Sequence, residues 1–249
     1  MLPDRFLSQL DLKSLKNEGR RKPSTKISQG VFDPQTLNSL YRLYRKGVFT
    51  DLVGLAAQGK EANLYWGRQG SREVAVKIYC VEATDFRNMR RYVDGDPRFP
   101  KVRDRRQLTY LWCRKEYSNL MRVSDYVRCP KPIDYRQNVL VMDFIGGEGV
   151  CALKLRDSEL PDPGGDYQKI ISYIKKMYEL GLVHGDLSEY NILYQGEPVL
   201  IDFSQGVLRE HPEAGRLLER DVINIAKFFR KKGVDADANR ELDEVRGVG

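Results

Sequence analysis

The segment "LVHGDLSEYNILY" places Asp186 and Asn191 five positions apart between two apolar runs. Its polar centre is too short for a solvated face, so we expect a loop held by core on both sides, the usual setting for chemistry. Eleven positions after Asn191, Asp202 stands in the apolar-flanked "LIDFS". Two carboxylates and a carboxamide supply oxygen ligands suited to Mg²⁺. The set could bind a metal ion and leave one acid to orient an attacking hydroxyl or accept its proton.

A lysine earlier in the chain belongs to the same chemistry. Lys77 lies in the apolar "VAVKIY", where an unpaired ammonium would be costly, and Glu116 on the next predicted helix is its natural partner. Taken alone, Lys77 could equally be a surface lysine whose stem covers apolar neighbours. Phosphoryl transfer uses metal ions and a lysine to offset phosphate charge. The combined set therefore favours phosphoryl transfer.

The elements that position these residues change from strands to helices along the chain. Alternating runs bounded by glycine-containing turns predict strands, and apolar residues at helical spacing predict helices. Strands are predicted in "TDLVGLAAQG", "EANLYWGRQG", "REVAVKIY", "KPIDYRQNVLVMDFIGG" and the hairpin "NILY-QGEP-VLID", and helices over 107–123, in "YQKIISYIKKMYELG" and near 213–232. This order predicts an α+β fold. The strand-rich part of the chain meets the mainly helical part near Ile145, and a cleft at such a boundary would suit a ligand.

A further helix is predicted ahead of the first strand. "DPQTLNSLYRLYRKG" has an Asp cap, Pro34 at the first helical position and an end at Gly47. Within residues 1–30, the first part is predicted to be helical and "GRRKPSTKISQG" to be mobile. We expect an N-terminal helical extension over 1–50, an N-lobe over 51–144 and a C-lobe over 145–249.

Composition indicates a globular protein of the cytoplasm. Hydrophobic residues make up 41% of the 249 positions and charged residues 31%. No run approaches the roughly 18 apolar residues of a membrane helix, and the N-terminus lacks a signal-peptide core. We therefore expect no membrane contact. Four widely spaced cysteines and two histidines argue against a structural zinc site.

Positive charge is concentrated in one segment. The chain carries a formal charge of +7, and residues 84–108 hold eight Lys or Arg against four Asp. One interpretation is a mobile basic loop that contacts an anionic partner such as RNA. The other is a solvated loop that leads into a helix.

The motifs VAVK, a helical Glu, HGDLSEYN and IDFS resemble those of the protein-kinase superfamily. The departures point to one branch, because "AAQGKEANLY" replaces the glycine-rich loop and Ser204 replaces the glycine after the metal-binding Asp-Phe. This combination resembles the type-1 branch of the RIO family of atypical serine/threonine protein kinases, over about residues 30–230. The resemblance implies a two-lobed protein-kinase-like fold with a truncated helical C-lobe.

The resemblance also implies residue roles, with ATP and Mg²⁺ or Mn²⁺ as cofactors. Asp186 would be the catalytic base, Lys77 would be a second catalytic residue, and Asn191 and Asp202 would be the metal ligands. The expected nucleotide-binding residues are Lys77 with Glu116, Gly59 and Lys60 in the phosphate loop, and the hinge backbone of Asp143 and Ile145. Ala57-Gln58 replaces the Ser-Thr expected before Gly59, so a hydroxyl that could bond a phosphate is missing.

Two alternatives stay open at this point. A small-molecule phosphotransferase of the aminoglycoside or choline kinase type would use the same three polar residues, but only about 47 residues follow Asp202 to form a substrate region. The second alternative is a slow nucleotide-dependent assembly factor. The RIO resemblance implies that its partners are pre-40S particles of the small ribosomal subunit and their rRNA. The resemblance does not fix the oligomeric state.

The phosphoryl acceptor is expected to be unusual. "IDFSQGVLREHPEAGRLLERDVINIAKFF" passes from Asp202 directly into a helix without the APE motif that follows DFG in typical kinases. A platform for an extended peptide is therefore expected to be missing. The predicted acceptors are Thr84 or Thr109, or the Asp202 carboxylate as an acyl-phosphate.

Overall fold

The computed structural model describes residues 32–81 and 86–247. The helices in this part are α1 Pro34–Arg45, α2 Phe86–Val93, α3 Arg105–Val123, α4 Pro163–Glu179, α5 Ala214–Arg230 and α6 Ala238–Arg246. The strands are β1 Asp51–Gln58, β2 Ala62–Gln69, β3 Arg72–Tyr79, β4 Pro132–Arg136, β5 Val139–Asp143, β6 Gly146–Gly147, β7 Val150–Cys151, β8 Leu153–Lys154, β9 Leu182–Val183, β10 Ile192–Tyr194, β11 Pro198–Leu200 and β12 Val207–Leu208. The helix and mobile stretch predicted within residues 1–30 lie outside the described residues. None of the described helices is long and apolar enough to cross a membrane.

The chain divides into two compact units. The first contains the described residues of Met1–Phe86 with Arg103–Arg114 and Pro132–Cys151; the second contains Arg87–Val102, Lys115–Lys131 and the described residues of Ala152–Gly249. The units are not contiguous in sequence, because two segments that precede residue 144 belong to the second unit. The predicted domain boundaries at 50 and 144 stay a prediction.

An antiparallel sheet in the order β1-β2-β3-β5-β4 forms the first unit. One face is apolar because the strand period of two places every second side chain on the same side. Val74, Val76 and Val141 on that face join Leu40 and Leu43 of α1 in one buried cluster. The predicted strands and the helix that precedes them are confirmed.

Helix α1 begins and ends where its sequence signals predict. The Asp33 carboxylate accepts hydrogen bonds from the backbone N–H groups of Gln35 at 3.0 Å and Thr36 at 3.3 Å. Pro34 takes the first helical position, where no intrahelical donor is needed. Gly47, with φ of 71°, follows the last turn.

The second unit is mainly helical, with α4, α5 and α6 packed on one another. Its short strands pair as β11-β10-β8 and β12-β9. The predicted hairpin is confirmed as β10 and β11, with Ile192 paired to Leu200. The sheet of the first unit and the helices of the second give the α+β content that the sequence predicts.

The basic segment differs from its prediction as a loop. Its described part contains helix α2, which buries Met89 and Val93, and the start of α3. Arg98 forms an ion pair with Asp96, and Arg106 forms one with Asp33. Thr84 lies outside the described residues. The loop prediction was therefore wrong for α2 and for residues 105–106, where α3 begins two residues before the helix predicted over 107–123.

Candidate active site

Two segments of the second unit carry the predicted base and the predicted metal ligands. The 184–191 loop joins β9 to β10, and the 202–206 turn joins β11 to β12. Pairing of β9 with β12, and of β10 with β11, holds the segments side by side. The Ile201 N–H also donates to the Asn191 carbonyl at 3.0 Å. Strand pairing therefore brings Asp186, Asn191 and Asp202 to one place.

Asp186 accepts two side-chain hydrogen bonds at one oxygen. The Asn191 amide donates to its Oδ2 at 3.0 Å and the Gln205 amide at 3.1 Å, while Arg220 lies 3.6 Å from Oδ1. Partial burial raises the pKa of Asp186, and the nearby charge of Asp202 adds to the rise; Arg220 and the Asn191 bond oppose it. A raised pKa suits a carboxylate that must accept a proton.

Asn191 is oriented by its own donors. Its Nδ2 donates to the backbone carbonyl of Asp186 at 2.8 Å as well as to the Asp186 carboxylate. The planar carboxamide must then direct Oδ1 away from Asp186. That oxygen is the atom a hard cation would bind.

Asp202 adopts the left-handed conformation, with φ of 63°, just before a 3₁₀ turn over Phe203–Gln205. The hydroxyl of Ser204 donates to Asp202 Oδ1 at 2.7 Å. Ser204 is buried and stands where typical kinases have glycine. The substitution therefore adds a donor that orients the carboxylate.

His184 supports this geometry from the core. It is buried, its Nε2–H donates to the Ile201 carbonyl at 3.1 Å, and its ring lies 4.7 Å from that of Phe203. Burial lowers the pKa of His184 to about 4, so the ring is neutral near pH 7. Its Nδ1 is buried without a hydrogen-bond partner in the described part of the chain. These contacts agree with a structural role.

Helix α5 holds the loop backbone through residues that sequence reasoning missed. The Asp221 carboxylate accepts from the N–H groups of Gly185 at 2.7 Å and Leu187 at 2.8 Å. Arg220 donates to the Gly185 carbonyl, and Asn224 to that of Leu187 at 3.2 Å. Burial raises the pKa of Asp221 to about 7, although both N–H bonds favour the carboxylate. The available signal was an Asp among buried apolar positions of "ERDVINIAKFF".

Lys77 lies in the first unit at the centre of β3, paired with Leu64 and Leu140 on the neighbouring strands. It is half-buried on the sheet face opposite the apolar cluster, with Nζ 5.1 Å from the centre of the Tyr79 ring. Glu116 belongs to the second unit and is buried on α3. Their ion pair stays a prediction.

The other predicted nucleotide-binding residues also belong to the first unit. Gly59 and Lys60 form the connection between β1 and β2. A Cβ on Gly59 would lie 2.9 Å from the Ala62 carbonyl oxygen, so this tight turn requires glycine. Asp143 ends β5 and pairs its side chain with Arg72, and Ile145 follows, half-buried. Their predicted backbone contacts with the adenine stay a prediction.

The side-chain oxygens at this site fit a magnesium ion that is held partly by the protein and partly by a bound nucleotide. Among the described residues, no three His, Cys, Asp or Glu side chains gather as a metal site. Asn191 and Asp202 provide hard oxygens, the type that Mg²⁺ combines with substrate phosphates and water. The residues present therefore fit a metal–nucleotide complex better than a metal bound by protein alone.

Comparison with known proteins identifies the family. The family model described as "RIO domain" matches residues 63–242. The chain belongs to the RIO family. A RIO-type serine/threonine-protein kinase Rio1 of Methanocaldococcus jannaschii is 45% identical over 226 residues, which cover 90% of this chain and 78% of that protein. Human serine/threonine-protein kinase RIO1 is 37% identical, with 86% of this chain and 39% of that protein covered.

A solved structure supports the fold of this RIO chain. The Rio2 kinase–ADP/Mg²⁺–phosphoaspartate complex of Chaetomium thermophilum matches with a TM-score of 0.64 and 22% identity, covering 92% of this chain and 76% of that one. The predicted two-lobed kinase-like fold is confirmed, and so is the enzyme class: the chain is an atypical serine/threonine kinase. The family match decides against the small-molecule phosphotransferase alternative.

Proposed function

We propose that this RIO kinase binds ATP with Mg²⁺ or Mn²⁺ and transfers the γ-phosphoryl group at the site formed by Asp186, Asn191 and Asp202. One observation carries the proposal: the Asn191 amide nitrogen donates twice to Asp186 and so directs the Asn191 oxygen, a hard donor, away from Asp186. Asn191 and Asp202 would hold the metal. The metal would offset negative charge on the phosphates.

The chain's own residues have separate tasks in this proposal. Asp186, with its raised pKa, orients the attacking water or hydroxyl and takes its proton; in the cycle through Asp202 proposed below, that group is the water that hydrolyses the acyl-phosphate. Gln205 and Asn191 both bond Oδ2, so the carboxylate cannot rotate freely. Lys77, with Glu116 as its expected partner, would contact the phosphates. The Gly59-Lys60 turn would cover them, and the backbone of Asp143 and Ile145 would bind the adenine.

We propose Asp202 as the acceptor in a slow ATPase cycle. Its carboxylate oxygen would attack the γ-phosphorus, ADP would leave, and water would later hydrolyse the acyl-phosphate to inorganic phosphate. The related Rio2 structure is named for a phosphoaspartate, which favours this acceptor over the two threonines. Thr109 is also buried, and its hydroxyl donates to the Arg105 carbonyl within α3 at 3.0 Å.

We also propose that the chain acts in the cytoplasm on pre-40S particles. Exposed Lys and Arg side chains of the basic segment, residues 84–108, would bind the phosphates of the rRNA. Lys101 and Arg103 are exposed, whereas Arg98 and Arg106 serve internal contacts. Changing Lys101 and Arg103 to Ala should lower the salt slope of RNA binding by about 2, one per lost phosphate contact. The matched control removes two exposed cations after α5, Lys231 and Lys232. Equal slopes for both double variants would contradict the RNA contact.

A turnover assay tests the whole proposal. ATP consumption and label transfer are measured with an unrelated peptide, with small-subunit precursor particles, and without either. We expect slow Mg²⁺-dependent turnover that the particles change and the peptide does not. Rapid multiple-turnover phosphorylation of the peptide would make the chain a conventional protein kinase.

A further inference from the structure

Lys115 of α3 is a lysine buried completely within the second unit, beside the 202–206 turn. Its side chain is 0% exposed, and its Nζ donates to the carbonyls of Ser204, at 3.0 Å, and Gly206. A buried ammonium is costly unless it is bonded and compensated by negative charge. Burial lowers the pKa of Lys115 to about 7, while Asp96 and Glu116 favour its charged form. The fold therefore retains this lysine despite a cost.

Asn119, one turn further along α3, bonds the same turn. Its Nδ2 donates to the carbonyls of Phe203 and Gly206, both at 2.8 Å. The two side chains together bond three carbonyls within the five residues that begin with Asp202. A Cβ on Gly206 would lie 2.9 Å from Asn119 Nδ2, so the turn lies closely against the helix.

Arg98 fixes the direction of the Asn119 amide. Its guanidinium donates to Asn119 Oδ1 at 2.9 Å, which obliges Nδ2 to face the turn. The same guanidinium donates twice to the buried Asp96, from Nε at 2.9 Å and from Nη2 at 2.7 Å. One carboxylate, one guanidinium and one amide thus form a chain of bonds that ends at the turn.

The turn needs such support because of its conformation. Asp202 is a non-glycine residue with φ of 63°, a region that costs free energy for an L-residue. None of the three bonded carbonyls is paired within a β-strand, since the turn lies between β11 and β12. The donors from α3 hold the backbone of the turn, and the direction of the Asp202 carboxylate depends on that backbone.

We propose that Lys115 and Asn119 are positioning residues that hold the 202–206 turn and thereby aim the Asp202 carboxylate at the metal–nucleotide complex. This inference rests on the proposed function, because it assumes that Asp202 is the metal ligand. Both residues act through the turn backbone and touch neither nucleotide nor metal. Their loss should weaken metal binding more than ATP binding.

Mn²⁺ binding tests the inference without relying on activity. Free Mn²⁺ is measured by electron paramagnetic resonance at fixed ADP, against a protein-free blank with the same ADP. The variants are Lys115→Met, which keeps volume without donors, and Asn119→Leu. We expect the Kd for Mn²⁺ to rise about tenfold or more in each, one order of magnitude being about 1.4 kcal/mol, with a smaller change in the Kd for ADP. Asn119→Ser serves as a milder variant if either fails to fold.

Two controls separate the possible outcomes. Leu242→Ala on α6 removes a buried side chain of the same unit and should lower Tm without changing Mn²⁺ affinity. Asp202→Ala should abolish Mn²⁺ binding. Wild-type Mn²⁺ affinity in folded Lys115→Met and Asn119→Leu, together with loss in Asp202→Ala, would overturn the positioning role alone. Mn²⁺ binding unchanged in Asp202→Ala, or absent from the wild type, would overturn the proposed metal site and this inference with it.

Discussion

The amide of Asn191 donates to the carboxylate of Asp186 at 3.0 Å, across the five positions that separate them in sequence. The bond defines two directions at once: it turns the Asn191 oxygen outward and holds one oxygen of Asp186. A prospective metal ligand and a prospective base therefore depend on each other's orientation.

Asp186→Asn should reduce phosphoryl transfer to water, and with it ATP turnover, by about 10²–10⁴-fold, the usual range for the loss of a general base. The affinity for ATP should change much less, because Asp186 is assigned to the acceptor and not to the nucleotide. Single-turnover kinetics with a separate measurement of nucleotide Kd distinguish the two effects. A large loss of affinity with unchanged transfer from the bound state would contradict the assignment.

Lys77→Ala should preserve the fold and lower turnover by about 10²–10³-fold, as expected for the loss of one preorganised charge donor. The residue is half-buried in β3 and outside the apolar cluster, so its removal creates little cavity. Turnover and Tm are measured together, with Val76→Ala as the control that should lower Tm more. A normal rate with a large loss of Tm would make Lys77 a structural residue.

His184 should make the protein less stable as the pH falls from 6.5 to 4. The imidazole has a pKa near 6.5 when unfolded and about 4 when folded, so between these values the unfolded chain binds the extra proton. Stability then rises with pH across this window, by at most about 1.4 kcal/mol per pH unit for one proton. Urea unfolding of the wild type and of His184→Gln at several pH values checks this. The wild type should show the steeper slope; parallel slopes would rule out a neutral, buried His184.

Phosphate bound covalently to the chain should be labile. After incubation with γ-labelled ATP, an acyl-phosphate on Asp202 would be released by hydroxylamine, whereas a phosphothreonine would persist. We expect hydroxylamine to remove the label from the wild type. Label that survives this treatment, and is retained in Asp202→Ala, would place the acceptor on a hydroxyl.

Local sequence signals were sufficient for β1 to β5, for the β10–β11 hairpin, for α1 and for the 184–191 loop, but not for the two-residue strands β7, β8, β9 and β12. Asp33 and Pro34 specify a helix start within a few residues. The β-branched apolar run of β3 specifies a strand, which is buried from Val74 to Tyr79 except at the half-buried Lys77. Helix α2 was missed because its arginines suggested a solvated loop. Met89 and Val93, four positions apart and both buried, were the signal for a helix.

The contacts that hold the 202–206 turn could not be predicted in this way. Lys115 bonds carbonyls 89 and 91 positions away in sequence, and Asn119 reaches 84 and 87 positions. Every residue has a backbone carbonyl, so no sequence motif identifies the carbonyls that Lys115 and Asn119 bond. In "WCRKEYSNL" Lys115 is indistinguishable from a solvated lysine until the fold places it in the interior.

The most direct test of the account is ATP turnover as a function of Mg²⁺ concentration for the wild type and Asp202→Ala. The wild type should turn over ATP only with Mg²⁺ or Mn²⁺. Asp202→Ala, folded as judged by circular dichroism, should lose the metal-dependent rate by at least about 10²-fold, because it lacks both a metal ligand and the proposed acceptor. If Asp202→Ala consumes ATP at the wild-type rate with the same Mg²⁺ dependence, the site proposed here is not where phosphoryl transfer occurs.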